Sequence, residues 1–204
     1  MDTKEKVLLV SLDLFSKNGF EATSTSDIAS KLGITKGALY KHFKNKEDIL
    51  NTIIHLMEVK DYEHAQEFNV PTKVLKGNEE EYLKTTFNNV IDFSIKQFAF
   101  WSEDEFASKF RKMVTIEHYK NSGLNDLYSN YFVLGPYQYV LDIFNTLHIN
   151  NASALALKIC STMFYLYSVY DINPKLAKKE FANFIKQFKN EGKENELSKK
   201  WQIC

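Results

Sequence analysis

The chain has 204 residues, enough to bury a large core, and its 26 basic side chains are balanced by 26 acidic ones. It is therefore no polycation, and any affinity for nucleic acid has to come from a local patch. Cys160 and Cys204 form neither a metal nor a redox spacing and point to a reducing compartment.

From the N-terminus, MDTKEK is charged where a signal peptide would begin its apolar run. Val7, Leu8, Ser11, Leu14 and Phe15 then repeat with helical period, which predicts a first helix from Thr3 to Lys17 stopped at Gly19-Phe20. In the hydroxyl cluster Thr23 to Ser26, Ser24 or Thr25 is the expected N-cap of a second helix, with Ile28, Ala29 and Leu32 on its inner side. Gly33 fits a left-handed cap over which Ile34 packs back, and Thr35 fits the N-cap of a third helix. Leu39 and Phe43 share that helix's inner face, which leaves Lys36, Gly37, Tyr40 and Lys41 facing outward. Lys31, Lys36, Lys41, Lys44 and Lys46 are the only charged residues between Asp27 and Glu47. A buried helix pair with a basic outer rim is what helix-turn-helix recognition of DNA requires. The chain's single arginine, Arg111, lies outside this stretch. Base contacts would then fall to Lys36, Tyr40 and close backbone approach at Gly37.

Asn45 can cap a fourth helix in which Ile49, Ile53, Leu56 and Met57 form an apolar stripe to about Glu67. Asn69 to Asn78 is the clearest break, and Glu79 to Trp101 is helical again, with Leu83, Phe87, Val90, Ile91, Ser94, Phe98 and Trp101 on one face. Ser102 and Glu105 read as a capping box for a helix carrying Phe106, Phe110, Met113 and Val114 inward. Leu124 to Leu147 is helical with an interruption at Gly135-Pro136. Asn150 or Asn151 opens a helix to about Tyr170 that is apolar nearly all round, so one side can face the core and the other a second subunit. Asn173-Pro174 starts a last helix with Ala177, Phe181, Phe184, Ile185 and Phe188 inward. The longest nearly uncharged stretch, Ile159 to Tyr170, is shorter than the roughly 20 residues a bilayer needs. The expectation is a cytoplasmic protein with no membrane partner.

No Gly-rich phosphate loop, H-E-x-x-H, G-x-S-x-G or cysteine cluster occurs, so no catalytic residue, metal ligand or cofactor is assigned. Of the aromatics, only Phe15, Phe20, Tyr40 and Phe43 fall in the first 50 residues. The rest fill helix packing, and some are dense enough to line a cavity for an apolar ligand. Phe98, Trp101, Phe106, Phe110, Tyr128, Phe132 and Tyr139 are the candidates for that role. Phe164, Tyr167, Phe181, Phe184 and Phe188 are the candidates for a dimer interface.

The run DIASKLGITKGALYKHFKNKEDIL resembles, residue for residue, the signature of the TetR family of bacterial transcriptional regulators. The resemblance extends loosely back to Thr3, and beyond about residue 60 it is one of length and helical pattern only. It implies an all-α chain of about nine helices. Residues 1–46 would form a three-helix helix-turn-helix domain, and 47–204 a larger helical bundle for effector binding and dimerisation. It further implies that Thr25, Tyr40, His42 and Lys46 hold phosphates while Thr35, Lys36, Gly37 and Tyr40 enter the major groove. The residues themselves agree on Lys36, Gly37, Tyr40 and Lys46, add Lys41 on the same face, and leave open that His42 only packs beside Phe43. The expected partners are double-stranded DNA, a second copy of the chain and an unidentified small-molecule effector. The expected function is a homodimeric repressor that binds a palindromic operator and is released by a small apolar or aromatic effector. Two alternatives stand beside it: a ligand-binding or interaction protein of the same fold that no longer binds DNA, and a helical-bundle enzyme, which the missing motifs disfavour.

Overall fold

The computed structural model describes residues 2–66 and 85–201, and every regular element among them is helical. Helix α1 (Thr3–Asn18) opens with a reciprocal capping box between Asp2 and Glu5 and buries Val7, Leu8, Leu12 and Phe15. It ends at Gly19, whose φ of 89° admits no Cβ without strain, and Phe20 turns back edge-on to Phe15 at 5.2 Å. Helices α2 (Thr25–Leu32) and α3 (Lys36–Tyr40) follow, and then α4 (Lys46–Gln66). Asn45 caps α4 by accepting from the Asp48 N–H at 2.7 Å, and Asp48 in turn accepts from the Lys44 N–H. Ile49, Ile53 and Met57 are fully buried on α4, but Leu56 is 37% exposed, so the buried stripe is narrower than the sequence pattern.

The expected break at Asn69–Asn78 and the start of the next helix at Glu79, Leu83 included, lie outside the described residues. Helix α5 (Phe87–Glu103) is opened by Thr86, which pairs with Asn89 through both backbone and side chain. Helix α6 (Glu105–Glu117) is capped by Asp104 and not by Ser102. Ser102 belongs to the last turn of α5 and is buried there, while Asp104 adopts an extended conformation and accepts from the Ala107 N–H at 2.8 Å. The single interrupted helix expected over Leu124–Leu147 is α7 (Ser122–Tyr128), a π-helical turn (Ser129–Val133) and α8 (Leu134–Thr146). At Gly135 a Cβ would overlap the Asn130 carbonyl oxygen, and Pro136 has no N–H to return, so the wide turn sits just before the pair.

Asn151, in the left-handed conformation, precedes α9 (Ala152–Ile172), and the Asn173 side chain accepts from the Leu176 N–H at the start of α10 (Pro174–Trp201). By length and composition alone α9 is long and apolar enough to cross a bilayer. One of its sides, with Leu155, Ala156, Ile159, Leu166 and Tyr167, is buried, and it packs against α8 and α10.

Two compact units divide these helices. The first is Met1–His64 with Glu103–Tyr128, and the second is Ala65–Ser102 with Ser129–Cys204. Helices α6 and α7 are thus an excursion: the chain leaves the second unit after Ser102, completes the first, and returns at Ser129. In the first unit α6 packs along α1. In the second, Phe87 stacks on both Phe144 and Phe188 at 5.5 Å, and Phe98 stacks on Phe181 at 4.1 Å.

Asp61 on α4, in the first unit, gives a pH test of its own burial. Burial alone pushes its carboxyl up to about 6. A carboxyl raised in the folded state favours folding while protonated, and that contribution is lost as pH rises through about 6. Asp61→Asn is therefore expected to stabilise the protein by about 1–3 kcal/mol at pH 7.5, with the gain fading to nothing near pH 4. Thermal unfolding of both proteins across that range measures it.

Candidate nucleic-acid interface

The turn between α2 and α3 is set by short-range signals. Ser24 and Asp27 cap α2 reciprocally, so of the two expected caps it is Ser24. Gly33 closes α2 at φ 66°, with its N–H on Ser30 O and the Ile34 N–H on Ala29 O, a Schellman closure. Two residues on, Thr35 Oγ1 accepts from the Ala38 N–H at 3.1 Å and starts α3. Ile28, Ala29, Leu39 and Phe43 are buried beneath.

The outer surface carries what that turn presents. Lys36, Gly37, Lys41, His42 and Lys44 are exposed, as is Tyr40 at 48%. His42 is among the exposed side chains of this surface. Tyr40 OH and Thr25 Oγ1 share a hydrogen bond of 3.1 Å, which joins the tip of α3 to the first residue of α2. A Cβ at Gly37 would meet nothing nearer than Thr35 Oγ1 at 3.9 Å. Nothing inside the protein requires a glycine there, whereas a helix loses stability by having one. Lys46 is half-buried, donates to Phe20 O at 2.7 Å and lies 4.2 Å over the Phe20 ring, so its ammonium is already fastened to the α1–α2 loop.

Lys31 of the expected basic rim stays exposed but is paired, its ammonium lying 2.9 Å from Asp13 on α1. Lys17 and Lys109 reach the same carboxylate, so α1, α2 and α6 share one anion. Burial works to raise the Asp13 carboxyl, but hydrogen bonds from Lys17, Lys31 and Lys109 together hold it well below the usual carboxylate range. Sequence reasoning missed this node; its only local trace is the i,i+4 pair Asp13–Lys17.

The candidate effector residues fall into two sets. Phe106, Phe110 and Tyr128 belong to the first unit, where Phe110 is fully buried and Tyr128 stacks on His118 at 4.0 Å. Phe98, Trp101, Phe132 and Tyr139 belong to the second, where Trp101 meets Phe132 at 4.7 Å and Tyr139 meets Phe93 at 5.9 Å. The candidate interface residues divide as well. Tyr167, Phe181 and Phe188 are core: Tyr167 and Phe181 stack on Phe98, and Phe188 on Phe87. Nearly all of their surface is spent within the chain, which leaves little to offer a second copy. Phe184 is half-buried and Phe164 exposed. The apolar side chains that do stand out along α9 and α10 are Leu157, Phe164, Tyr165 (67%), Ile172 (88%) and Leu176.

Comparison with known proteins decides the lineage. The pattern described as "Bacterial regulatory proteins, tetR family" matches residues 7–53. The HTH-type transcriptional regulator QacR of Staphylococcus aureus is 31% identical over 137 residues, 61% of this chain and 73% of that protein. The chain belongs to the TetR family. Within it, the HTH-type regulator YerO of Bacillus subtilis is 51% identical over 49 residues, 24% of this chain, and the match spans only 17% of YerO. The solved SmeT–triclosan complex superimposes with a TM-score of 0.61 at 18% identity, covering 91% of this chain and 89% of that one, a likeness of fold. The matched stretch 7–53 of this TetR-family chain takes in α1 from Val7 onward, all of α2 and α3, and the first turns of α4.

Proposed function

We propose that the chain is a ligand-responsive transcriptional repressor that binds a palindromic operator as a homodimer in the cytoplasm and is released by a small apolar or aromatic effector. The observation that carries this reading is Gly37: an exposed glycine in a helix, with open space where its side chain would be, flanked by Lys36, Tyr40 and Lys41. A bare spot on a basic helix suits the close approach of a base edge or phosphate. Thr25, Thr35 and His42 border the same surface, and Lys46 has one donor left over for a phosphate beside its bonds to Phe20 O and Glu21 O.

Two further features support the rest. The exposed apolar side chains Leu157, Phe164, Tyr165, Ile172 and Leu176 give α9 and α10 a face suited to a second copy. The aromatic cluster around Phe98, Trp101 and Phe132 has the chemistry of an apolar ligand site, and the fold neighbour SmeT, the repressor of the Stenotrophomonas maltophilia multidrug efflux pump SmeDEF, was solved with triclosan. Nuclease protection of the DNA upstream of the protein's own gene tests the reading. Two protected half-sites related by two-fold symmetry and separated by about 34–36 Å, or a multiple of it, are expected. A chain that protects nothing at low salt is not this repressor.

The dimer makes its own prediction. Leu157→Asp with Tyr165→Asp places charge on the exposed face without touching the core. The double variant is expected to sediment as a monomer and to lose about 100-fold in operator affinity, because one head no longer raises the local concentration of the other.

A further inference from the structure

Helix α6 is fastened to α1 by ion pairs at one end and buries a carboxylate against it at the other. The two run in the same direction, since Asp13 meets Lys109 at 3.1 Å and, further along both helices, Gly19 meets Glu117. At the fastened end Asp13 also holds Lys17 and Lys31, at 2.8 and 2.9 Å. At the far end Glu117 is fully buried, and neither of its carboxylate oxygens has a hydrogen-bond partner among the described residues. Among the described residues the cation that reaches it is the exposed Lys120, 3.9 Å away. Both helices terminate here, so the negative ends of two helix dipoles meet a carboxylate that has been taken out of water. The side chain lies so close to Gly19 that a Cβ there would overlap Glu117 Oε1. The next residue, Phe20, is the one whose carbonyl holds Lys46.

We propose that Glu117 is a release device: it loads the α1–α6 contact so that displacement of α6 opens it at the Gly19 end and loosens the Phe20–Glu21 segment that positions Lys46 for DNA. The proposal rests on the repressor reading above. The chain path supplies the input, because α6 follows α5 of the second unit with only Asp104 between them. Lys109 is the fastening that keeps the loaded contact shut until then.

Glu117→Gln keeps the shape and removes the charge, Glu117→Leu removes charge and polarity, and Lys109→Ala cuts the fastening. Amide hydrogen exchange of the full chain, free of DNA, reads the last turns of α1 and α6. Both position-117 variants are expected to slow exchange there about tenfold and Lys109→Ala to speed it by a similar factor. E117Q is expected to bind the upstream duplex several-fold more tightly than wild type. If both position-117 variants exchange as fast as wild type or faster, Glu117 does not load the contact and the proposal falls. Slower exchange with unchanged DNA affinity also overturns it, since opening would then not reach Lys46. A wild-type chain that binds no duplex at all overturns the repressor reading itself, and the release role with it, whatever the exchange shows.

Discussion

Gly37→Glu is expected to abolish DNA binding and leave the fold intact. The position is exposed on α3, its φ is unstrained, and a Cβ has open space, so the substitution breaks no contact within the protein. Replacing a helical glycine gains about 0.5–1 kcal/mol, so the melting temperature should stay level or rise by a few degrees. On the DNA side the new side chain occupies the bare spot and sets a carboxylate between Lys36 and Lys41, against phosphate. A loss of at least about 100-fold in affinity follows from removing the equivalent of two or more contacts worth about 1–3 kcal/mol each. Gly37→Ala should lie between, with the same stability and a smaller loss. Thermal unfolding and a fluorescence-anisotropy titration on one preparation measure both halves. A variant that binds like wild type would place the DNA surface elsewhere.

Phe110→Ala carries the largest expected effect on stability. The ring is fully buried in the first unit, on the face of α6 that also buries Phe106, Ala107, Met113 and Val114. Truncation removes the ring's transfer energy and leaves a cavity that rigid helices close only in part, a loss of about 3–5 kcal/mol. Urea unfolding should show the midpoint falling accordingly. A loss below about 1 kcal/mol would mean that the side chain sits in a loosely packed site, as a ligand-contacting ring would, and would favour Phe110 among the effector candidates.

What could be read from the sequence tracks the range of the interactions concerned. The helix-turn-helix is encoded within a few residues: Ser24, Gly33, Thr35 and Asn45 each act on a backbone group one turn away, and the structure has every one of those caps. The all-helical fold followed from the same periodicity. Features that depend on distant partners were hidden. Lys31 looks like a rim lysine until α1 brings Asp13 beside it, and nothing local says that Glu117 is buried against Gly19. Overlapping signals misled at α6, where Ser102 and Asp104 are both acceptable caps. The choice was made by α5, which runs on far enough to take Ser102 into its last turn, one turn beyond buried Phe98. On α9 the residues are apolar nearly all round, so periodicity could not say which side is core. That is why Tyr167 was offered as surface and Tyr165 was not, the reverse of their burial.

The most direct test of the central claim, that the lysine-edged face of α2 and α3 grips duplex DNA, is the salt dependence of binding to the upstream duplex. The account predicts specific binding at 50 mM salt that weakens by about 10³-fold or more at 200 mM, as lysine–phosphate contacts from two heads displace counterions. The slope of log K against log salt should become shallower by about one for each head's Lys41→Ala. Binding indifferent to salt, or no binding at 50 mM, would contradict it.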